Sequence, residues 1–358
     1  MKETLILSIN PGSTSTKFAL FNNTTCILEK TIRHSIDEIS VYPTIIDQFD
    51  FRKTLIIEEL KNENVKFESI KYVIGRGGIT HPLESGIYEV NEAMLAHLRS
   101  GEYGQHASNL GGVIANDIAK WLGDAKAYIA DPVVTDELDD IARISGHPAF
   151  VRKTIFHALN QKAIAREHAK AVNRPYEELR LIVAHLGGGI SVGAHKNGRI
   201  VDVNNALDGE GPFSPERSGT LPAGQLIDIC FSGKYTKEKI KKMVNGEGGF
   251  VAYLGTNDGK SVKERAAAGD QECQFYQNAM GYQIAKIIGE MATVLDGRVD
   301  GVLFTGGVAY NAALLEYIRP KVDFIAPVYI YAGEDELKAL AMNVSLMIQG
   351  KLTPKIYK

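Results

Sequence analysis

Two short apolar runs, each closed by a turn of small residues and resumed as a second run, set the tightest limit on how this chain folds. Residues 5–9 read as a buried strand, Asn10-Pro-Gly-Ser-Thr-Ser-Thr16 as a polar turn, and residues 17–21 as a second strand. Far along the chain residues 181–184 form another apolar strand candidate, followed by His185-Leu-Gly-Gly-Gly189. Residues 190–195 and, across the Lys196-Asn-Gly198 turn, 199–203 continue it as two more strands. Both regions follow one plan of buried strand, small-residue turn, strand, turn and strand, which reads as an internal repeat opening each half of the chain. Shared glycine content produces the same appearance, so the repeat is an expectation that the structure must decide.

Helical patterns fill the intervals. Val151, Ile155, Ala158 and Leu159 fall at i, i+4, i+7 and i+8, which predicts a helix over 151–168 with one buried stripe. Between 275 and 295, Tyr276, Met280, Ile284, Ile287, Ile288, Met291 and Leu295 keep that spacing, as in a long core helix or one at a subunit interface. Residues 302–305, the Gly306-Gly307 turn and residues 312–318 read as a strand–turn–helix unit. Alternating strands and helices indicate an α/β protein with mixed sheets. A length of 358 residues suggests two domains. With no Pro/Ser-rich linker to mark it, their boundary is placed from the repeat near residue 150. The expected domains are 1–150 and 151–333, with a C-terminal helix in 334–358 returning to the first.

Composition narrows the function classes. A formal charge of −3 argues against a general nucleic-acid or membrane-surface binder, while leaving room for a local basic site for phosphates. Cys26, Cys230 and Cys273 have no CxxC or ligand-like spacing, so neither a disulfide framework nor a zinc site is expected, and a reducing cytoplasm fits. After Met1-Lys2-Glu3 the first apolar run, 5–9, is too short for the core of a signal peptide. No later run is long enough to span a bilayer. A soluble protein without membrane partners is expected.

The turns carry the candidate chemistry. Gly12 lets the backbone turn tightly against a ligand, and Ser13, Thr14 and Ser15 add hydroxyls beside backbone N–H groups. Such a nest suits phosphate oxygens, with Lys17 adding charge. It is not a Walker A loop, because Gly-Lys-Ser/Thr does not occur at the required spacing and a strand follows. A plain hairpin turn is the alternative. Gly187, Gly188 and Gly189 likewise permit close approach of a ligand to backbone N–H groups. The segment fails the dinucleotide fingerprint, since Val192 stands where the third glycine belongs. A tight hairpin with His185 as a core histidine is the alternative there. Gly306-Gly307 is a third candidate loop.

Taken together these residues resemble a known family. Ser8-Ile-Asn-Pro-Gly-Ser-Thr-Ser-Thr-Lys17 is similar to the first signature of the acetate and butyrate kinases, and Leu181-Ile-Val-Ala-His-Leu-Gly-Gly-Gly-Ile-Ser-Val-Gly-Ala194 to the second. Further matches run along nearly the whole chain: Gly75-Arg-Gly-Gly78, Gln105-His-Ala-Ser-Asn109, Phe156-His157, Pro215-Glu-Arg-Ser-Gly-Thr-Leu221, Leu254-Gly-Thr-Asn-Asp258, Phe304-Thr-Gly-Gly307 and Gly333-Glu-Asp-Glu-Leu337. That family belongs to the superfamily of acetate and sugar kinases, heat-shock ATPases and actin. The resemblance implies two similar actin-like (ribonuclease H-like) domains, with mixed β-sheets flanked by helices and an ATP cleft between them. It also implies transfer of the γ-phosphoryl of ATP to a short-chain fatty-acid carboxylate, giving an acyl phosphate and ADP, with Mg²⁺ as cofactor and a homodimer or higher homo-oligomer as the assembly. Butyrate is the expected acid, with acetate, propionate or isobutyrate as alternatives. A non-catalytic actin-like nucleotide-binding module is the alternative from another class.

The resemblance assigns roles residue by residue. Arg217 stabilises the transferring phosphoryl group, in place of a mere surface pair with Glu216. His157, about 145° around the expected helix from its apolar stripe, lies near that group, and His185 contacts phosphate. Asn10 sits by the phosphates and metal, and Glu336 binds Mg²⁺ through water. Asp131 positions metal or water, because an ionised acceptor needs no base. Asp258, Gly306, Gly307 and Asn311 surround the adenosine. Two departures favour the butyrate or branched-chain side of the family, as does chain length. Arg76, in Gly75-Arg-Gly-Gly78, is offset from the arginine of the acetate kinases yet is the cation expected to face the substrate carboxylate. Tyr310 replaces a glutamate near the adenosine.

Overall fold

In the computed structural model residues 4–358 are described; Met1-Lys2-Glu3, with which the N-terminal reading and the first expected domain begin, lie outside the described residues. The chain forms two compact units, residues 4–135 with 335–358, and residues 136–334. Residues 136–150, expected with the first domain, group with the second unit. There Asp139 N–H donates to Val201 O at 2.9 Å and the buried Lys162 ammonium pairs with Glu137 at 2.6 Å.

The first unit is built on β1 (Leu5–Pro11), β2 (Ser15–Asn22), β3 (Thr25–Arg33), β4 (Ile70–Arg76), β5 (Ile87–Glu89) and β6 (Lys126–Ala130). With the short strand Lys355–Ile356 at one edge, the seven-stranded order continues β5-β6-β4-β1-β2-β3. Every residue of β1 is buried, which is why it reads as a continuous apolar run rather than an alternation. Its register pairs Leu7 with Leu20 and Ile9 with Phe18. These four share one face with Ile56 and Leu60 of the Phe49–Asn62 helix and Leu110, Val113 and Ile114 of the Asn109–Leu122 helix. Ile6, Ser8 and Asn10 alternate to the opposite face, and the Glu336–Ile348 helix packs on β1 and β4.

Gly75-Arg-Gly-Gly78 has a packing reason. A Cβ on Gly75 would stand 2.0 Å from Gly111 O, so β4 and the Asn109–Leu122 helix meet backbone to backbone. This contact fixes the end of β4, where Arg76 sits.

The second unit contains β7 (Arg180–Leu186), β8 (Ile190–Lys196), β9 (Arg199–Val203), β10 (Gly301–Gly306) and β11 (Val328–Ala332), in the order β11-β10-β7-β8-β9. Ile182, Ala184, Val302 and Phe304 pack against Met280, Ile284, Ile288 and Met291 of the 24-residue helix Gln271–Val294. That helix is a core element, as its spacing predicts, with Phe275 and Tyr282 on its exposed side. Asp270 caps it, accepting from Glu272 and Cys273 N–H at 3.1 Å, an interaction worth about 1 kcal/mol in typical helices. On the other face Leu181, Val183 and Leu303 meet Ala165 and Ala169 of the Ala158–Ala171 helix.

The repeat is real. In the first unit β3-β2-β1 run antiparallel and β4 and β6 follow parallel to β1; in the second β9-β8-β7 and then β10 and β11 repeat that arrangement. Common topology, strand for strand, removes glycine content as the explanation.

One helix begins later than its spacing predicts. Residues 151–157 are irregular and the helix starts at Ala158, so the angular argument for His157 fails: that residue is the N-cap. Tertiary bonds claim the segment. Arg152 donates to Ala142 O at 2.7 Å, Asp202 at 3.0 Å and Val203 O at 3.0 Å, while Ile155 O accepts from Ala206 N–H at 2.9 Å. Val151, placed in the buried stripe by spacing, is exposed. No helix among the described residues is long and apolar enough to cross a membrane.

Candidate active site

In the first unit the turn between β1 and β2 is held from beneath by Arg52, whose side chain is buried on the Phe49–Asn62 helix. Its guanidinium donates to Gly12 O at 2.7 Å, Ser13 O at 3.0 Å and Ser15 O at 2.9 Å. It also donates to Thr16 Oγ1 at 3.1 Å and twice to Gln48 Oε1, at 3.1 and 2.8 Å. A trans peptide sets each C=O opposite the next N–H. Turning the carbonyls of Gly12 and Ser13 toward Arg52 therefore presents the N–H groups of Ser13 and Thr14 on the other side, the arrangement an anion nest requires. The Ser13 and Thr14 side chains are exposed there. Gly12 N–H closes the turn on Ser15 O at 2.7 Å, and His34 Nε2 pairs with Thr16 Oγ1 at 2.8 Å. Burial lowers the basicity of Arg52 and of His34. Lys17 is exposed and pairs in register with Asn10, which sets both side chains on one face of the sheet.

At the end of β1 the Asn10 amide donates through Nδ2 to Glu336 Oε2. Glu336 opens the Glu336–Ile348 helix behind the Asp335 cap, where the helix N-terminus favours a carboxylate, and its other oxygen lies 2.5 Å from Arg76 Nη1. Asn10 Oδ1 is buried and has no hydrogen-bond partner among the described residues, although buried amide oxygens are nearly always paired. An unsatisfied hard oxygen beside a carboxylate is a donor set that fits Mg²⁺.

Asp131, directly after β6, has φ of 41°, uncommon for a residue with a side chain. Its carboxylate is buried and accepts from Ser85 Oγ at 2.6 Å and Gly86 N–H at 2.8 Å, with Asn343 Nδ2 at 3.5 Å from its second oxygen. It ties the turn before β5 to β6 and to the C-terminal helix.

In the second unit His157 and His185 lie with ring centroids 4.5 Å apart, and the Nε2 atom of each is 3.6 Å from Glu334 Oε2. Asn160 touches both. Its N–H lies 3.3 Å from His157 Nδ1, and its Oδ1 is 2.9 Å from His185 Nδ1. The Gly187-Gly188-Gly189 turn closes by Gly187 N–H to Gly189 O at 3.1 Å, and Ser214 Oγ donates to Gly188 O at 2.5 Å. Arg217 lies against this turn, half-buried. Its Nη1 donates to Ala206 O at 2.8 Å and its Nε to Asn245 Oδ1 at 3.2 Å, whereas Glu216 is 4.0 Å away. Burial lowers its basicity, with Glu216 and Asp208 opposing. It is a positioned cation rather than a surface ion pair.

The residues expected around adenosine lie within this unit, Gly306 and Asn311 flanking one short turn and Gly259, next to Asp258, facing Val308 of that turn. Gly306 ends β10 and exchanges backbone hydrogen bonds with Gly333 at 3.0 and 2.9 Å. Gly307 starts the short 3₁₀ turn Gly307–Tyr310. Asp258 is exposed and caps the Gly259–Ala267 helix. Asn311 is buried with both ends of its amide engaged, Nδ2 donating to Gln277 at 2.7 Å and Oδ1 accepting from Leu314 N–H at 3.3 Å. Tyr310, the departure, is exposed, and its ring lies over the Gly333 backbone.

Sequence reasoning missed Arg52, Asn160, Ser214 and Glu334. Asn160 three residues after His157 and Glu334 beside Asp335-Glu336 carried signals, a cap spacing and an acidic run. Arg52, a lone arginine in a polar helix, carried none.

Ligands of parallel sheets gather at the carboxyl ends of strands. In the first unit Asn10 and Arg76 occupy the ends of β1 and β4, and Asp131 follows β6; in the second His185 and Gly306 occupy the ends of β7 and β10, and Glu334 follows β11. This duplicated sheet, with its polar groups at one end, is the actin-like kinase fold. The structure aligns with an acetate kinase from Porphyromonas gingivalis at a TM-score of 0.76 and 17% identity, covering 96% of this chain and 100% of that one. A propionate kinase from Francisella tularensis aligns at 0.75 and 19%, covering 95% and 98%. At the level of sequence the chain belongs to the acetokinase family, whose profile matches residues 142–324. It is 56% identical to "Butyrate kinase 2" of Clostridium acetobutylicum over 353 residues, 99% of each chain. It is 51% identical to a "Probable butyrate kinase" of Bacteroides thetaiotaomicron over 357 residues, again 99% of each.

Proposed function

We propose that this protein transfers the γ-phosphoryl group of ATP to butyrate, giving butanoyl phosphate and ADP. The observation that carries this reading is the placement of Asn10, Arg76, His185 and Glu334 at the carboxyl ends of their strands, in a chain 51–56% identical to named or probable butyrate kinases. A carboxylate oxygen attacks the γ-phosphorus as the bond to the bridging β,γ oxygen breaks, and the electron pair leaves with ADP. The acceptor is already ionised, so no base is required. That agrees with Asp131, whose carboxylate accepts from Ser85 and Gly86.

The obstacle is the approach of an anion to a polyanion, and oriented donors overcome it. The N–H groups of Ser13 and Thr14 and those of Gly188 and Gly189 bind phosphate oxygens. Arg217 and His157 donate to the transferring group, and Arg76 orients the acid. Asn10 Oδ1 and Glu336 would hold Mg²⁺, through water in part, and the ion would supply positive charge against the phosphate oxygens. A hydroxamate assay across acetate, propionate, butyrate and isobutyrate tests the reading. The highest kcat/KM is expected with butyrate; no acyl phosphate from any of the four acids would overturn it.

A further inference from the structure

His157 and His185 face the same carboxylate with the same ring atom, yet their other nitrogens are fixed in opposite ways by one residue. Asn160 offers His157 a donor, its backbone N–H at 3.3 Å from Nδ1, and offers His185 an acceptor, its Oδ1 at 2.9 Å from Nδ1. A neutral imidazole carries one proton, and the bond made by one nitrogen decides the state of the other. With both rings neutral, His157 accepts at Nδ1 and holds its proton on Nε2. His185 must hold its proton on Nδ1, which makes its Nε2 a lone-pair acceptor.

We propose that Asn160 is a positioning residue that sets His157 and His185 in opposite tautomers, making His157 the donor and His185 the acceptor of the pair. Asn160 is buried in the first turn of the Ala158–Ala171 helix, and His157 caps that helix, so backbone geometry holds the first bond. The two imidazole Nε2 atoms and Glu334 Oε2 lie within 4.8 Å of one another, a spacing that also suits a metal ion. The tautomers argue against that use, because the proton on His157 Nε2 occupies the lone pair a metal would need. The inference rests on the phosphoryl-transfer reading for its purpose but not for its test.

The experiment is long-range ¹H–¹⁵N correlation of the full-length protein labelled at histidine, with the two rings assigned through His157→Gln and His185→Gln. In the wild type the expected result is protonated Nε2 for His157 and protonated Nδ1 for His185. Asn160→Ala should release His185 to the other tautomer while His157, held by the backbone, keeps its own. Asn160→Asp, which preserves the acceptor, should keep both. The alanine variant should lose roughly 10- to 100-fold in kcat, as removal of a supporting hydrogen bond commonly does, with KM for ATP within about twofold, and the aspartate variant should recover part of the loss. The same tautomer on both rings of an active wild-type protein would overturn the proposal, even if no variant folds. So would an unchanged His185 spectrum in folded Asn160→Ala. A wild type that shows opposite tautomers but forms no acyl phosphate would instead defeat the reading of function.

Discussion

A Cβ on residue 189 would stand 1.9 Å from Nη1 of Arg217, so the guanidinium occupies the space that any side chain there would need. The glycine is present for this close approach, because its φ lies outside the left-handed region that favours glycine. Gly189→Ala should push Arg217 off the turn and lower kcat about 100-fold, the order expected when an oriented donor to a developing charge is lost. Gly188→Ala is the control, since its Cβ would meet Glu216 at an ordinary 3.4 Å and should cost far less. Equal effects of the two substitutions in a steady-state assay would refute the assignment. Arg217→Ala should match Gly189→Ala in kcat with ATP affinity little changed.

Arg52 should behave differently, because it holds the turn between β1 and β2, for which phosphate binding is proposed. Its charge is buried without a carboxylate partner among the described residues, and burial lowers its basicity. Six hydrogen bonds offset that desolvation. Lysine cannot reproduce a planar fork of donors. Arg52→Lys should raise KM for ATP about tenfold, equivalent to about 1.4 kcal/mol, with KM for the acid nearly unchanged. Millimolar guanidinium should partly restore ATP affinity to Arg52→Ala. Equal rises in both KM values would indicate general loss of structure.

Much of this was legible in the chain. Strands β1, β2 and β7–β10 lie within two residues of their expected limits, because strands buried on both faces are apolar runs whose ends are marked by small-residue turns. The helix expected from 151 was not, because its periodicity is real but Arg152 and Ile155 bind segments some fifty residues on. Arg52 was invisible for the same physical reason: its importance lies in carbonyls 37 to 40 positions away, and carbonyls have no residue type. His157 was singled out by motif and misplaced by geometry: it is a helix cap bonded to Asn160 N–H, which a helical wheel does not represent.

Glu336 joins two residues that the sequence treats separately. It accepts from Asn10 and pairs with Arg76 at 2.5 Å, so its charge holds both. Glu336→Gln keeps the shape, removes the charge and frees the arginine. The concentration of Mg²⁺ giving half-maximal rate at fixed ATP should rise about tenfold, since Mg²⁺ bound through few protein ligands depends on their charge. KM for the acid should fall or hold, because Arg76 gains freedom to face the substrate carboxylate. A Mg²⁺ titration that superimposes on the wild type would remove Glu336 from the metal site.

His195 gives the stability of the second unit a dependence on pH. It is fully buried on β8, its Nδ1 2.8 Å from Tyr176 OH and its Nε2 3.0 Å from Gln161 Oε1, so the neutral ring is satisfied at both nitrogens. Burial, reinforced by the charges of Lys162 and Arg166, holds its pKa well below the ordinary 6.5. Above pH 6.5 the ring is neutral whether the chain is folded or not, and its contribution is complete. As pH falls below 6.5 the unfolded chain takes up a proton that the folded one refuses, so stability is lost toward the lower folded value, by up to about 1.4 kcal/mol per pH unit for this one group. His34 and His168 are lowered by burial as well and act in the same direction. Between pH 7.5 and 5.5 the shifted carboxylates remain ionised, which isolates the histidines. His195→Gln can keep both bonds without titrating. In urea unfolding at those two pH values the variant should lose about 1 kcal/mol less than the wild type on acidification. Equal losses in the two proteins would show that His195 is not the group responsible.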